Sequence, residues 1–111
     1  MYYPGLESHP RFALAAAQMR EWGAVLSFDL AGGAVAGKRF AESLRLFAMT
    51  ASLGATDSLV LPPQLLTTRG LTPEQLALTG VGPGTVRLAV GLEDSDDLLA
   101  DVGAALRAVS G

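Results

Sequence analysis

The stretch GPGTVRLAVGLED, residues 82–94, decides the fold because it sets an apolar strand between a glycine-rich turn and a helix start. Residues of this strand alternate between two faces, one formed by Val86, Leu88 and Val90, the other by Thr85, Arg87 and Ala89. An arginine on the less apolar face of a strand is most often solvated or held in a structural ion pair. A guanidinium can also grip a carboxylate through two parallel hydrogen bonds. The strand pattern leaves both roles open for Arg87.

Helical patterns lie on both sides of this strand. The segment SDDLLADVGAALRAV, residues 95–109, predicts an amphipathic helix with Ser95 as its cap. Upstream, LTPEQL at 71–76 carries a complete start signal, in which Thr72 caps the helix and Gln75 closes a capping box. We therefore expect a short helix, the strand, and then a longer terminal helix.

The first half of the chain repeats the alternation of helix and strand. The patterns predict a helix capped by Ser8, a strand over 24–30, a helix over 34–46 and a short strand within 47–54. Residues 54–71 contain two prolines and show no periodicity, so they are predicted to form one long connection. Helices over one face of a small sheet, in α+β packing, bury these apolar stripes most simply. The other face of the sheet is then left over, and it carries Arg87.

Composition limits the class of protein. The chain has 111 residues, half of them apolar and 17% charged, which is typical of a single globular domain spanning 1–111. A net charge of −3 with scattered basic residues gives no footprint for nucleic acid, and the absence of cysteine excludes disulfides and thiolate sites. Neither a membrane-spanning run nor a secretory signal is seen. We expect a soluble, cytoplasmic protein with no membrane partner.

Other residues that could carry chemistry lack partners. His9 is the one histidine, so no metal pair or Ser-His-Asp triad can be assembled around it. Lys38 is the one lysine and lies on a polar helical face, a poor setting for a Schiff base. The acidic run at 93–97 favours complementation of a helix dipole over a cation site, and the glycines at 80–84 lead into a strand, unlike a phosphate loop.

Three stretches together resemble the C-terminal region of the pyridoxal-phosphate enzymes of cysteine and methionine metabolism. They are YPGLESHP at 3–10, SLGATDSL at 52–59 and VRLAVGLEDSDDLLADV at 86–102. The family includes cystathionine γ-synthases, cystathionine β- and γ-lyases, methionine γ-lyases and homoserine sulfhydrylases, and the similarity runs in order from Tyr3 to about Val109. It implies an α+β fold with a small, mostly antiparallel sheet and helices on one face, like the C-terminal small domain of fold-type I pyridoxal-phosphate enzymes.

The resemblance also implies a binding site. In that family an arginine in the VRL strand grips the α-carboxylate of an amino-acid substrate, and the matching residue is Arg87. The serine of the family's SLG maps to Ser52, and the threonine of a following MTH maps to Thr67. The family's histidine after that threonine is Thr68 here, so no choice among family members follows.

The large cofactor-binding domain of the family has no counterpart in these 111 residues. Pyridoxal phosphate belongs to the complete enzyme, together with the Schiff-base lysine and the groups that hold the ring. The resemblance thus implies substrate-binding residues but no catalytic, cofactor or metal residue on this chain, and no activity or bound cofactor for the chain alone.

Three functions remain open at this point. The first is the substrate-closing C-terminal domain of a trans-sulfuration enzyme, which orients the substrate through Arg87. The second is a free-standing interaction module that pairs with itself through the sheet face a large domain would have covered. The third is a small domain that binds a free amino acid through Arg87 unaided.

Overall fold

The computed structural model describes residues 1–65 and 70–110. In chain order its elements are α1 (Phe12–Gln18), β1 (Val25–Asp29), α2 (Gly33–Ser43), β2 (Ala48–Met49), β3 (Leu59–Leu61), a 3-10 turn (Pro63–Leu65), α3 (Pro73–Thr79), β4 (Thr85–Ala89) and α4 (Ser95–Ser110). The predicted order of helices and strands is confirmed with one addition, β3. None of the helices among the described residues has the length and apolar character to cross a bilayer.

The strands form one sheet in the order β1-β4-β3-β2. β4 pairs antiparallel with β1 on one side and with β3 on the other, while β2 runs parallel to β3. The prediction of a small, mostly antiparallel sheet is therefore confirmed. In this register Arg87 lies between Ser27 of β1 and Leu61 of β3, so its strand is central in the sheet.

The core lies between one face of the sheet and two helices. α2 packs against both α4 and β4, and Phe40, which is fully buried, meets Phe28 edge to face at 5.4 Å between ring centroids. Val60 and Val86 are fully buried on the same face. Helices on one face of a small sheet are the predicted α+β arrangement, which the apolar alternation of the strands makes favourable.

One expectation about the connection after β2 is wrong. Residues 54–71 are not one irregular segment, because Leu59–Leu61 forms β3. All three residues of β3 are buried, so the strand is apolar on both faces and lacks the alternation by which strands are recognised. On the sheet face that carries Arg87, Leu59, Leu61 and Ala89 are buried, whereas Val25 and Asp29 of β1 are exposed, so that face is covered only in part.

Helix starts follow the sequence signals in one case and depart from them in two. Thr72 and Gln75 form the predicted capping box at the start of α3. For α4 the predicted cap Ser95 is wrong, because the carboxylate of Asp94 accepts the backbone N–H groups of Asp96 and Asp97 at 2.9 and 3.2 Å. α1 begins at Phe12 without a side-chain cap, so the predicted cap Ser8 is wrong as well.

Candidate functional site

Arg87 is anchored by the backbone of the connection that follows β2. Its Nη2 donates to the carbonyl oxygens of Ala51 and Ser52, each at 3.1 Å, and the side chain is partly buried. Arg87 and Ser52 are thus brought together, although Ser52 contributes its main chain to this contact and is itself exposed. Thr67, the third predicted binding residue, lies outside the described residues.

Most N–H donors of the Arg87 guanidinium have no acceptor among the described residues. A guanidinium has five N–H donors, and in residues 1–65 and 70–110 only those of Nη2 have a protein acceptor. The one ion pair in this part of the chain joins Lys38 to Glu42, so no described carboxylate neutralises Arg87. A partly buried cation whose Nε and Nη1 donors meet no acceptor in 1–65 and 70–110 is suited to an anionic group.

The connection that holds Arg87 is fastened to the end of β4 by a buried serine. Ser58 is fully buried, and its Oγ donates to Glu93 Oε2 at 2.8 Å while it accepts the Gly91 N–H at 2.8 Å. The backbone N–H of Ser58 donates to Glu93 Oε1 at 2.7 Å. We call these three residues the serine clasp. It joins the segment that carries Ala51 and Ser52 to the residues that follow Arg87.

Close backbone approach tightens this junction further. The N–H of Leu92 donates to the carbonyl oxygen of Thr56 at 2.8 Å. A Cβ on Gly91 would overlap that same oxygen and the backbone of Asp57 and Ser58, so glycine is required there. The carbonyls that orient Arg87 therefore sit on a segment fixed at its far end.

Glu93 supplies the charge in the serine clasp. Hydrogen bonds from the N–H of Ser58, from its own N–H and from the Ser58 hydroxyl all favour the carboxylate, and they lower the pKa of Glu93 below its ordinary value of 4.5. The hydrogen bonds of the clasp thus favour the ionised form of Glu93. The sequence does not reveal the clasp: the acidic run predicts helix-dipole complementation for Glu93 together with the other acids, whereas Asp94 caps the helix.

A second hydrogen-bonded group ties the N-terminal residues to the sheet. Tyr2 bridges to Ser27 at the outer edge of β1, and its hydroxyl donates to Asp29 Oδ2 at 2.6 Å. The Thr85 hydroxyl donates to the other oxygen of Asp29. The pKa of Asp29 is lowered, chiefly by the bond from Thr85 and then by the bond from Tyr2, and the pKa of Tyr2 is raised by the nearby carboxylate. The group is structural, since its donors and acceptors satisfy one another.

The residues present do not fit a pyridoxal-phosphate attachment site. A Schiff-base lysine needs a desolvated amine or a positioned cation beside it. Lys38 instead has a side chain that is 61% exposed, with Nζ at 3.8 Å from Glu42 one helical turn away.

A metal site is not formed among the described residues either. His9 Nδ1 accepts the Arg11 N–H at 3.1 Å, and no group of three or more His, Cys, Asp or Glu suited to a metal occurs in the described part of the chain.

Comparison with known proteins gives consistent relatives. L-methionine γ-lyase of Pseudomonas putida is 49% identical over 108 residues, which are 97% of this chain and 27% of that enzyme. Cystathionine γ-lyase of Saccharomyces cerevisiae is 42% identical over 95% of this chain and 27% of that enzyme. The crystal structure of cystathionine γ-lyase from yeast superposes with a TM-score of 0.90 at 40% identity, covering 98% of this chain and 28% of that one.

The cystathionine γ-synthase of Xanthomonas oryzae pv. oryzae, solved with aminoacrylate and cysteine, superposes with a TM-score of 0.89 at 41% identity over 98% of this chain. These structural neighbours are fold-type I pyridoxal-phosphate enzymes, which confirms the predicted fold class. The chain spans about 27% of the length of the curated relatives it matches. The sequence model of the family described as Cys/Met metabolism PLP-dependent enzyme matches residues 1–107. The chain therefore belongs to the family of pyridoxal-phosphate-dependent enzymes of cysteine and methionine metabolism.

Proposed function

We propose that this chain orients an amino-acid substrate in a pyridoxal-phosphate-dependent trans-sulfuration enzyme, and that Arg87 binds the α-carboxylate. The observation that carries the proposal is the half-engaged guanidinium. Two backbone carbonyls hold Nη2, while Nε and Nη1 have no acceptor among the described residues. A carboxylate at those donors forms charge-assisted hydrogen bonds of roughly twice the strength of neutral ones.

Anchoring makes the arginine useful for orientation. Both carbonyl contacts fix the plane of the guanidinium, so the carboxylate is received in one direction instead of many. A substrate held in one orientation reacts as if its local concentration were far higher, and the bond to be broken is selected by that orientation. The exposed Ser52 hydroxyl is our second candidate contact, and Thr67 stays a prediction.

The cofactor enters this proposal only as a property of the family. Pyridoxal phosphate supplies the electron-withdrawing ring in these enzymes. We propose that the 111 residues alone bind no pyridoxal phosphate, because Lys38 is a solvated surface amine. A Schiff-base absorption band on mixing the chain with the cofactor, lost in Lys38→Ala, would contradict this.

Kinetics of a hybrid enzyme test the assignment of Arg87. In the hybrid, this chain replaces the matching 108 residues of the Pseudomonas putida L-methionine γ-lyase. Arg87→Ala is expected to raise KM for methionine and to lower kcat/KM. The fall in kcat/KM should correspond to a loss of about 2 kcal/mol of transition-state stabilisation, as for loss of a charge-assisted hydrogen bond. Arg87→Lys should recover only part of this, because an ammonium lacks the planar fork.

Arg20→Ala is the matched control, since Arg20 is exposed and precedes β1. It should leave kcat/KM unchanged within twofold. An Arg87→Ala hybrid with the kcat/KM of the unmodified hybrid would exclude the carboxylate role.

The alternative of a free-standing, self-associating module has less support. Its predicted contact surface is the sheet face around Arg87, yet Leu59, Leu61 and Ala89 on that face are already buried within the chain. The mass of the natural product in its own cell separates the two hypotheses. A product much heavier than 11.5 kDa supports the enzyme domain, and one near 11.5 kDa supports the module.

A cytoplasmic location stays a proposal. Fractionation of the same cells tests it.

A further inference from the structure

An acidic side chain interrupts the buried stripe of α4. Asp101 lies three residues after Leu98 and four before Ala105, both of which are buried, so all three share one face of the helix. A half-buried carboxylate on such a face is costly unless hydrogen bonds compensate its lost hydration. In residues 1–65 and 70–110 no cation forms an ion pair with Asp101, and its donors are backbone groups.

The donors are two consecutive N–H groups of the connection after α2. The N–H of Arg45 donates to both oxygens of Asp101 at 3.0 Å, and the N–H of Leu46 donates to Oδ2 at 2.8 Å. Both donors lie between α2, which ends at Ser43, and β2, which begins at Ala48. Hydrogen bonds to a charged acceptor are about twice as strong as neutral ones, so α4 holds the start of the segment that leads into β2.

Asp101 and Glu93 hold opposite ends of the same stretch of chain. Asp101 holds its start, and the serine clasp holds its end, where Ser58 meets Glu93. We call residues 45–58 the bracketed segment. Phe47 is the only side chain buried between its two ends. Both carboxylates follow β4 in the chain, so the bracketed segment is tied twice to the C-terminal part of the fold.

The middle of the bracketed segment has little else to hold it. Every residue from 51 to 57 is exposed, so burial does not fix this part. The strand before it, β2, consists of Ala48–Met49 alone, and both residues are exposed at the edge of the sheet. This part nevertheless presents the carbonyl oxygens of Ala51 and Ser52 to Nη2 of Arg87. The positions of those oxygens therefore depend on the two tied ends.

We propose that Asp101 is a positioning residue for substrate binding by Arg87. Together with Glu93, it holds the bracketed segment so that the two carbonyl oxygens receive Nη2 while Nε and Nη1 are directed at the α-carboxylate. Asp101 acts through this segment and not by contact with the substrate. A misplacement of about 1 Å at a binding group can cost about a hundredfold in rate, so small shifts of the segment matter. The inference rests on the proposed role of Arg87 and adds a residue that acts through it.

A double-mutant cycle in the hybrid enzyme tests the proposal. Asp101→Ala is expected to lower kcat/KM for methionine at least fivefold, mainly through a rise in KM, because the carbonyls that orient Arg87 lose one of their supports. When Arg87→Ala is already present, the same change should lower kcat/KM less than twofold, since no guanidinium is left to position. Circular dichroism and urea unfolding establish that each variant is folded.

Two further variants accompany the cycle. Asp97→Ala is the matched control, because Asp97 is an exposed carboxylate of α4 whose side chain has no hydrogen-bond partner among the described residues. It should leave kcat/KM unchanged within twofold. Asp101→Asn keeps the shape and one acceptor oxygen, so it should lower kcat/KM only two- to threefold, and it replaces Asp101→Ala in the cycle if the alanine variant does not fold.

The outcomes separate this inference from the role of Arg87. Equal losses with and without Arg87 would overturn the proposal, because Asp101 would then support the enzyme generally. An unchanged kcat/KM in Asp101→Ala, beside a large loss in Arg87→Ala, would overturn it while the role of Arg87 stands. An Arg87→Ala hybrid as active as the unmodified hybrid would refute the role of Arg87 and this inference with it.

Discussion

Replacing Ser58 with alanine removes the hydroxyl at the centre of the serine clasp. The change deletes the bond from Oγ to Glu93 Oε2 and leaves the N–H of Gly91 without its acceptor. The N–H of Ser58 still serves Glu93 Oε1, so the clasp is weakened without being abolished. Ser58 has no solvent-accessible surface, so the lost bonds are not simply replaced by bulk water.

The expected loss of stability follows from these contacts. A buried donor left unsatisfied costs about 1–3 kcal/mol, and we expect Ser58→Ala to lower the free energy of unfolding by about 2 kcal/mol. For a urea dependence of about 2 kcal/mol/M, the unfolding midpoint should fall by about 1 M. In the hybrid enzyme, KM for methionine should rise as well, because the carbonyls of Ala51 and Ser52 lose their fixed support.

Urea unfolding followed by circular dichroism measures the effect. Ser110→Ala is the matched control: its hydroxyl donates to the Leu106 carbonyl at 2.9 Å, but the residue is exposed at the end of α4. The control should change stability by less than about 0.5 kcal/mol. Equal midpoints for Ser58→Ala and Ser110→Ala would refute the argument that the buried clasp holds this segment in place.

Two further changes probe the same junction. Glu93→Gln should flatten the acid side of the stability profile: the lowered pKa of Glu93 means that its contribution is complete above about pH 4.5 and is lost as the pH falls through the folded pKa. Thermal melts from about pH 6 to pH 3 check this, and an unaltered slope in the variant would count against it. Gly91→Ala should destabilise the chain by about 3 kcal/mol, because its Cβ overlaps the Thr56 carbonyl. Gly103→Ala within α4 should instead stabilise it by about 0.5–1 kcal/mol, since the nearest atom to its Cβ is the Arg107 Nη1 at 3.5 Å. Urea midpoints that move in the same direction for both alanines would contradict the packing argument.

Periodic segments were predictable from the sequence because their apolar residues repeat with the geometry of the element. β1, β4 and α4 follow this rule, and the capping box of α3 has a local hydrogen-bond logic. β3 was not predictable in this way: it has three residues, is buried on both faces and is followed by two prolines. Its strand character comes from pairing with β4, which is a tertiary effect.

Some residues of the candidate site were likewise predictable from the sequence, and others were not. Arg87 was found because a charged residue interrupts an apolar strand and matches a family motif. The serine clasp was missed because Ser58 and Glu93 are 35 residues apart, and only the fold brings them together. Gly91 offered a signal, since a glycine in or just beyond an apolar strand often marks close backbone approach. The acidic residues beside it drew the interpretation toward the helix start instead.

Paired substrates test the central claim most directly. The kcat/KM of the hybrid enzyme is measured for L-methionine and for L-methioninamide, whose neutral amide replaces the carboxylate, with Arg87 and with Arg87→Ala. If Arg87 binds the carboxylate, the substitution should lower kcat/KM for methionine about 30-fold more than for the amide, a coupling of about 2 kcal/mol. Equal losses for both substrates would show that Arg87 does not recognise the carboxylate.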